Sequence, residues 1–187
     1  MALFGKKVKK SMQDYKLILE LYKSAFPKNE RIPLCLLKWD SKRKNIDFLA
    51  FYDDENFNTF VGFVYLLHHN SLSYLCFFAI AEQVRGKGYG SKILQYLQKE
   101  YAKQTIVLAI EEVNPKYDNY EERLKRQDFY QKNNFTLSGM SITERKVNYF
   151  LMHYGKEQNQ TAYKQLFKRY ACGLIPIKIY DKNGNKL

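Results

Sequence analysis

The chain has 187 residues, of which 45% are apolar and 16% aromatic, and 31 basic against 19 acidic side chains leave a net charge of +12. That length predicts one domain, residues 1–187, able to bury about 70% of its unfolded surface. No apolar run approaches the roughly 18 residues that span a bilayer, and the opening MALFGKKVKK carries too short an apolar core for a signal peptide.

The expectation is therefore a cytoplasmic protein that makes no use of a membrane. Three cysteines, Cys35, Cys76 and Cys172, are an odd number without metal-ligand spacing. They read as reduced, packed thiols, and no metal is expected. The positive charge favours polyanions and would steer a phosphate-rich ligand. A nucleic-acid-binding module is the alternative from another class. It is disfavoured because the lysines are spread along the chain and the aromatic strands carry few basic residues.

Residues 1–10 predict an edge strand or a basic tail. A helix starts at Ser11, with Asp14 completing a capping pattern, and carries Tyr15, Ile18, Leu19, Tyr22 and Phe26 before Pro27 stops it. Phe26 to Pro33 is a loop, followed by a short helix through Leu34, Leu37 and Trp39. Ile46–Tyr52 and Phe60–Leu67 predict an antiparallel pair around Asp53–Asn56. The next turn is His68-His69-Asn70-Ser71, whose adjacent histidines read as exposed turn residues.

Tyr74–Ile80 is a charge-free run, read as a strand buried on both faces. Arg85-Gly86-Lys87-Gly88-Tyr89-Gly90 follows, then a helix with Ile93, Leu94, Leu97 and Tyr101 along one stripe. Strand, glycine-rich turn and helix start make an anion site. Glycines permit positive φ and close backbone approach, first-turn N–H groups point outward, and Arg85 and Lys87 add two full charges. The Walker pattern fails because Gly88 follows Lys87, and the dinucleotide pattern fails because Ser91 occupies its third glycine position.

Thr105–Ile110 predicts a second buried strand, parallel to the first through a βαβ connection. Asp118, with Glu121, caps a helix running to about Asn133. Phe135–Thr143 and Val147–Tyr154 form a hairpin around Glu144-Arg145-Lys146. Thr161–Ala171 is a further helix ended by Gly173, Ile175–Tyr180 a small strand, and Asp181–Leu187 a tail.

Arg85, Gly88 and Gly90 match R/Q-x-x-G-x-G/A, which in the GNAT acetyltransferase superfamily follows an apolar strand and opens the helix that carries the pyrophosphate of acetyl-CoA. Phe129-Tyr130-Gln131-Lys132-Asn133-Asn134-Phe135 resembles the family's (F/L)Y-x-x-x-G-F ending, with Asn134 in place of glycine. On these two motifs and the order of elements across residues 1–154, the chain is identified as a member. Residues 155–187 are then a C-terminal extension. The resemblance implies an α/β fold with a mixed, mostly antiparallel sheet flanked by helices and a parallel βαβ at the cofactor site.

It also implies acetyl-CoA as donor, direct transfer to a primary amine, and no metal. A small molecule or a peptide is the acceptor, and the protein is a monomer or homodimer. Cofactor contacts fall to Arg85, Gly86, Lys87, Gly88, Tyr89, Gly90 and Ser91, with main-chain groups of Phe78, Ala79 and Ile80 on the pantetheine arm and Asn114 bonding that arm. Tyr130 becomes the proton donor to the departing thiolate, its acidity raised by nearby Lys125, Arg126 and Lys132. Glu111 and Glu112, at the end of the next strand, are alternative bases for an amine whose conjugate acid has a pKa of about 10.4. Glu30 and Arg31 are the candidate acceptor contacts. Use of another acyl group, or loss of catalysis, is the alternative within the fold.

Overall fold

The structure, a computed structural model, describes residues 3–187. They divide into two compact units: the described chain up to His68 with Leu75–Glu100, and His69–Tyr74 with Tyr101–Leu187. Both are mixed α/β, and the strands are mostly antiparallel with one parallel pair, as the sequence predicts.

In the first unit the strands run in the order β1 (Phe4–Lys7), β2 (Ile46–Tyr52), β3 (Phe60–His69), β4 (Leu72–Ile80). The alternative left open at the N-terminus resolves as an edge strand, with Phe4 opposite Tyr52. Helix α1 (Tyr15–Ala25) buries Ile18, Leu21 and Tyr22, and Tyr22 meets Phe77 edge-on at 5.0 Å. Helix α3 (Tyr89–Glu100) buries Ile93, Leu94 and Leu97 of the predicted stripe and ends one residue before its last member, Tyr101. Between α1 and β2 lies α2 (Leu34–Asp40).

The second unit holds the first residues of β4, then β5 (Thr105–Glu111), β7 (Val147–Tyr154), β6 (Thr136–Glu144) and β8 (Ile177–Tyr180) in that order. The predicted parallel ladder is short, pairing Leu72–Tyr74 with Thr105–Val107. β6 and β7 form the predicted hairpin, with Arg145 and Lys146 at φ 47° and 70°, the positive pair that a two-residue turn needs. Helices α4 (Tyr120–Lys132) and α5 (Gln160–Phe167) complete it. α5 buries Tyr163, Leu166 and Phe167, and Phe167 packs on Tyr74 at 4.9 Å.

Several local expectations are corrected. Helix α1 begins at Tyr15 rather than at Ser11, because the Asp14 carboxylate accepts from the Tyr52 hydroxyl (3.1 Å) and caps nothing. Helix α4 begins at Tyr120 rather than at Asp118; Asn119 accepts from Arg123 Nε at 2.7 Å in place of a backbone cap. α5 stops at Phe167, and Ala171 and Cys172 take positive φ before Gly173. The supposed tail folds back, with Leu187 N donating to the Ile179 carbonyl at 2.9 Å. Trp39 is 58% exposed, and Cys35 is exposed rather than packed. His68 and His69 close β3 instead of lying in a turn, and His68 Nε2 lies 3.0 Å from Asp47, which also pairs with Lys7. Among the described residues no helix is long and apolar enough to cross a membrane.

Candidate active site

In the first unit, the candidate cofactor residues follow directly from β4. Its far end needs a glycine on the neighbouring strand: a Cβ at Gly62 would stand 2.3 Å from the Ala79 carbonyl oxygen and 3.1 Å from Ile80 Cα. Ala79 is buried, while Phe78 and Ile80 are half-buried. Ala81 N then donates to the Val61 carbonyl (2.8 Å), and one 3-10 turn, Glu82–Val84, leads to Arg85. Arg85 is exposed, and its Nε returns to the Ile80 carbonyl at 3.2 Å, tying strand end to turn.

Gly86 and Gly88 stand at φ 76° and 78°, and a Cβ built on either meets nothing within 4 Å. The backbone of this turn is therefore open to an approaching ligand, and side chains there would stand in the way. Such chains of N–H groups beside a helix start suit phosphate. Gly90 and Ser91 lie in the first turn of α3, whose amides have no intrahelical acceptor. Lys87 is exposed at the same turn. Tyr89 differs from its neighbours. Its ring is buried and its hydroxyl donates to Asp53 Oδ2 at 2.7 Å, a bond that raises the phenol's pKa, so its side chain anchors α3 and only its main chain faces outward chemistry. Glu30 and Arg31 are half-buried on the loop between α1 and α2, which is pinned where Tyr22 Oη donates to the Ile32 carbonyl (2.9 Å).

The second unit gathers the candidates for proton transfer. Glu111 ends β5, and its carboxylate pairs with Arg123 (3.2 Å) and with Arg126. Glu112 takes the other direction, as alternation along a strand requires. It accepts from Tyr117 Oη (2.9 Å), Asn114 Nδ2 (3.3 Å) and Lys116 Nζ (3.3 Å). Desolvation raises its pKa, but those three hydrogen bonds together outweigh it and hold the carboxyl below the ordinary range. Asn114 also accepts from Lys116 N at 3.1 Å, so both ends of its amide shape this turn.

Tyr130 lies one turn beyond Arg126 on α4, with Phe129 and Phe135 edge-on at 5.2 and 5.8 Å. Its phenol is pushed up to about 12 by burial; Arg126 pulls the other way without prevailing. The expected acidification is thus corrected, since desolvation is the larger effect. Neither Lys125 nor Lys132 contributes to it.

Sequence reasoning missed Arg123. Its guanidinium is buried, donates to the Glu112 carbonyl oxygen (2.8 Å), pairs with Glu111, and stacks 3.8 Å from the Tyr117 ring centroid. Nothing in a polar helix marks one arginine for burial. Gly62 was findable, because a glycine inside a strand pattern signals close backbone approach.

No curated protein matches the chain. Among solved structures, a Bacteroides thetaiotaomicron protein assigned to the GNAT acetyltransferases is 23% identical, with 91% of this chain and 99% of that one covered at a TM-score of 0.71. An aminoglycoside 6'-N-acetyltransferase complexed with coenzyme A is 15% identical, covering 81% and 96% at a TM-score of 0.59. A variant of the spermidine N-acetyltransferase of Vibrio cholerae is 17% identical, covering 81% and 92% at 0.59. These likenesses concern the fold. The family model of the acetyltransferase (GNAT) domain matches residues 44–137, just over half the chain and the span holding β2 through α4 with both sequence motifs, and the chain therefore belongs to the GNAT family of acetyltransferases.

Proposed function

We propose that the chain is an acetyl-CoA-dependent N-acetyltransferase that passes the acetyl group directly to a primary amine. The observation that carries this reading is the open glycine turn, with Gly86 and Gly88 at positive φ beside the first-turn amides of α3. When bound, acetyl-CoA supplies the thioester whose acetyl group moves. The turn and the α3 amides hold its pyrophosphate, with Arg85, Lys87 and the Ser91 hydroxyl adding charge and a hydrogen bond. Main-chain groups of Phe78–Ile80 orient the pantetheine arm and polarise the acetyl carbonyl; donors of this kind are worth roughly 10²–10³ in rate. Asn114 bonds the arm, and Glu30 and Arg31 contact the acceptor.

Proton traffic falls to the second unit's residues. Glu111 or Glu112 receives the amine proton, directly or through water, and Tyr130 donates to the departing sulfur. A second reading, CoA binding with another acyl group or without turnover, draws support from one observation. The Glu112 carboxyl is held below the ordinary range by its hydrogen-bond donors, which weakens it as a base, and Glu111 is already paired with Arg123 and Arg126.

Thermal denaturation with CoA tests the common part of both readings. A ligand at 100 times its Kd adds about 2.7 kcal/mol, so Tm should rise with CoA concentration. Gly88→Val should abolish the rise, because a side chain at φ 78° is strained and blocks the backbone's approach to phosphate. A folded Gly88→Val protein with unaltered CoA affinity would remove the assignment. Thiol release from acetyl-CoA across an amine library then separates the two readings and names the acceptor class.

A further inference from the structure

The second unit carries a cleft of about 280 Å³ that lies wholly within residues 164–187, outside the span matched by the family model. Its apolar wall comes from Phe167 on α5, Ile175 before β8, and Ile179 on β8. Lys164 on α5 and Lys168 at its C-cap line it, one helical turn apart, and Lys186 lines it from the returning C-terminal segment. None of these three ammonium groups pairs with a carboxylate among the described residues.

The arrangement has two ordinary explanations, each partial. Cations near the C-terminus of α5 complement the helix dipole, and lysines keep an edge strand such as β8 from pairing with other chains. Neither accounts for three unpaired cations from two separate segments converging on one apolar hollow. Like charges one helical turn apart repel, and an anion placed between them relieves that repulsion. The volume lies just below the roughly 300–1,000 Å³ usual for drug-sized ligands, which restricts an occupant to a small molecule.

We infer that this cleft binds a small amphiphilic carboxylate, its hydrocarbon body against Phe167, Ile175 and Ile179 and its head between Lys164, Lys168 and Lys186. Desolvated apolar surface supplies the affinity and the lysines select the anion. The site does not rest on the acetyl-transfer reading.

The probe is octanoate, titrated into the full-length protein while amide chemical shifts are followed by NMR, with octanol and inorganic phosphate as comparison ligands. Saturable shifts confined to α5, β8 and the segment joining them are expected. Octanol, which keeps the chain and lacks the charge, should bind at least tenfold more weakly. Phosphate, which keeps the charge and lacks the chain, should do likewise. Lys164→Gln/Lys168→Gln should weaken octanoate at least tenfold while leaving the spectrum otherwise native, and Lys9→Gln/Lys10→Gln, at the other end of the chain, should leave its affinity unchanged. Shifts scattered over the surface without saturation, equal affinity for octanol or phosphate, or an unaffected α5 double variant would overturn the proposal. An equal loss in the Lys9/Lys10 variant would do so too, by showing a response to net charge alone.

Discussion

Tyr130 forms no hydrogen bond with a described residue, so its hydroxyl proton is uncommitted in the absence of a ligand. A phenol at about 12 is a poor source of a proton for a thiolate whose conjugate acid sits near 8.5. In the proposed reaction it therefore acts by donating a hydrogen bond as the sulfur departs, and the group stays neutral across the physiological range. Tyr130→Phe keeps the ring contacts with Phe129 and Phe135, so folding and CoA binding should hold. Turnover should fall at least tenfold, at the low end for a lost acid; an unaltered kcat where chemistry limits turnover would leave Tyr130 as packing. The base is settled by Glu111→Ala and Glu112→Ala. At the true base, alanine lowers the rate and moves the pH–rate profile upward, since the amine must lose its proton unaided. The other variant should be nearly silent. Two wild-type profiles would mean that the proton leaves to water.

At the scale of elements, the end of β4 depends on Gly62. Adding one methyl group there drives it to 2.3 Å from a carbonyl oxygen of the adjacent strand, and a backbone cannot yield as a flexible side chain does. Gly62→Ala should cost about 1–3 kcal/mol, the usual penalty of overpacking, and should displace Ala79 and Ile80 with it. Urea denaturation reads the cost, and loss of CoA affinity in the still-folded fraction reads the displacement. A variant as stable as the parent would show that β3 and β4 part more easily than their contact implies. Helix α4 offers the opposite case, a departure from family pattern that the backbone absorbs. Asn134 stands at φ 66°, its N–H bonds the Gln131 carbonyl (2.9 Å), and Phe135 N bonds the Tyr130 carbonyl (3.0 Å). That is the paired-bond ending in which Gly or Asn takes the left-handed position.

For the molecule as a whole, alkaline pH is the informative variable. Burial raises the phenols of Tyr130 and Tyr163 to about 12, and burial with the Asp14 charge raises Tyr52 further. Between the unfolded value of about 10 and those folded values, the native state keeps protons that the unfolded chain releases. Stability is therefore complete below about pH 10 and falls as pH rises through the following two units. Thermal scans should show Tm dropping in that window, with a smaller drop in Tyr163→Phe. Phenolate absorbance should show a subset of the sixteen tyrosines ionising only as the fold is lost. Full titration near pH 10 with the fold intact would contradict this.

The sequence by itself determined the order of elements, the glycine turn, the α3 stripe, the β6–β7 hairpin and the family. Each of these rests on local periodicity or on residues with special backbone freedom, which neighbours in the chain already specify. Tertiary structure decided the start of α1, where the Asp14 side chain accepts from Tyr52 instead of capping, while at α4 a neighbour one turn on, Arg123, takes the Asn119 side chain. It also decided the exposure of Trp39, the burial of Arg123, and the engagement of Glu111 and Glu112. It reversed the expected shift at Tyr130 as well. Asp14 and Glu111 are taken by partners distant in sequence, and the Tyr130 phenol loses its water to the fold around it, on all of which local pattern is silent. Asn119 and Glu112 are taken by near neighbours, Arg123 and Tyr117, in a competition among side chains that periodicity does not rank.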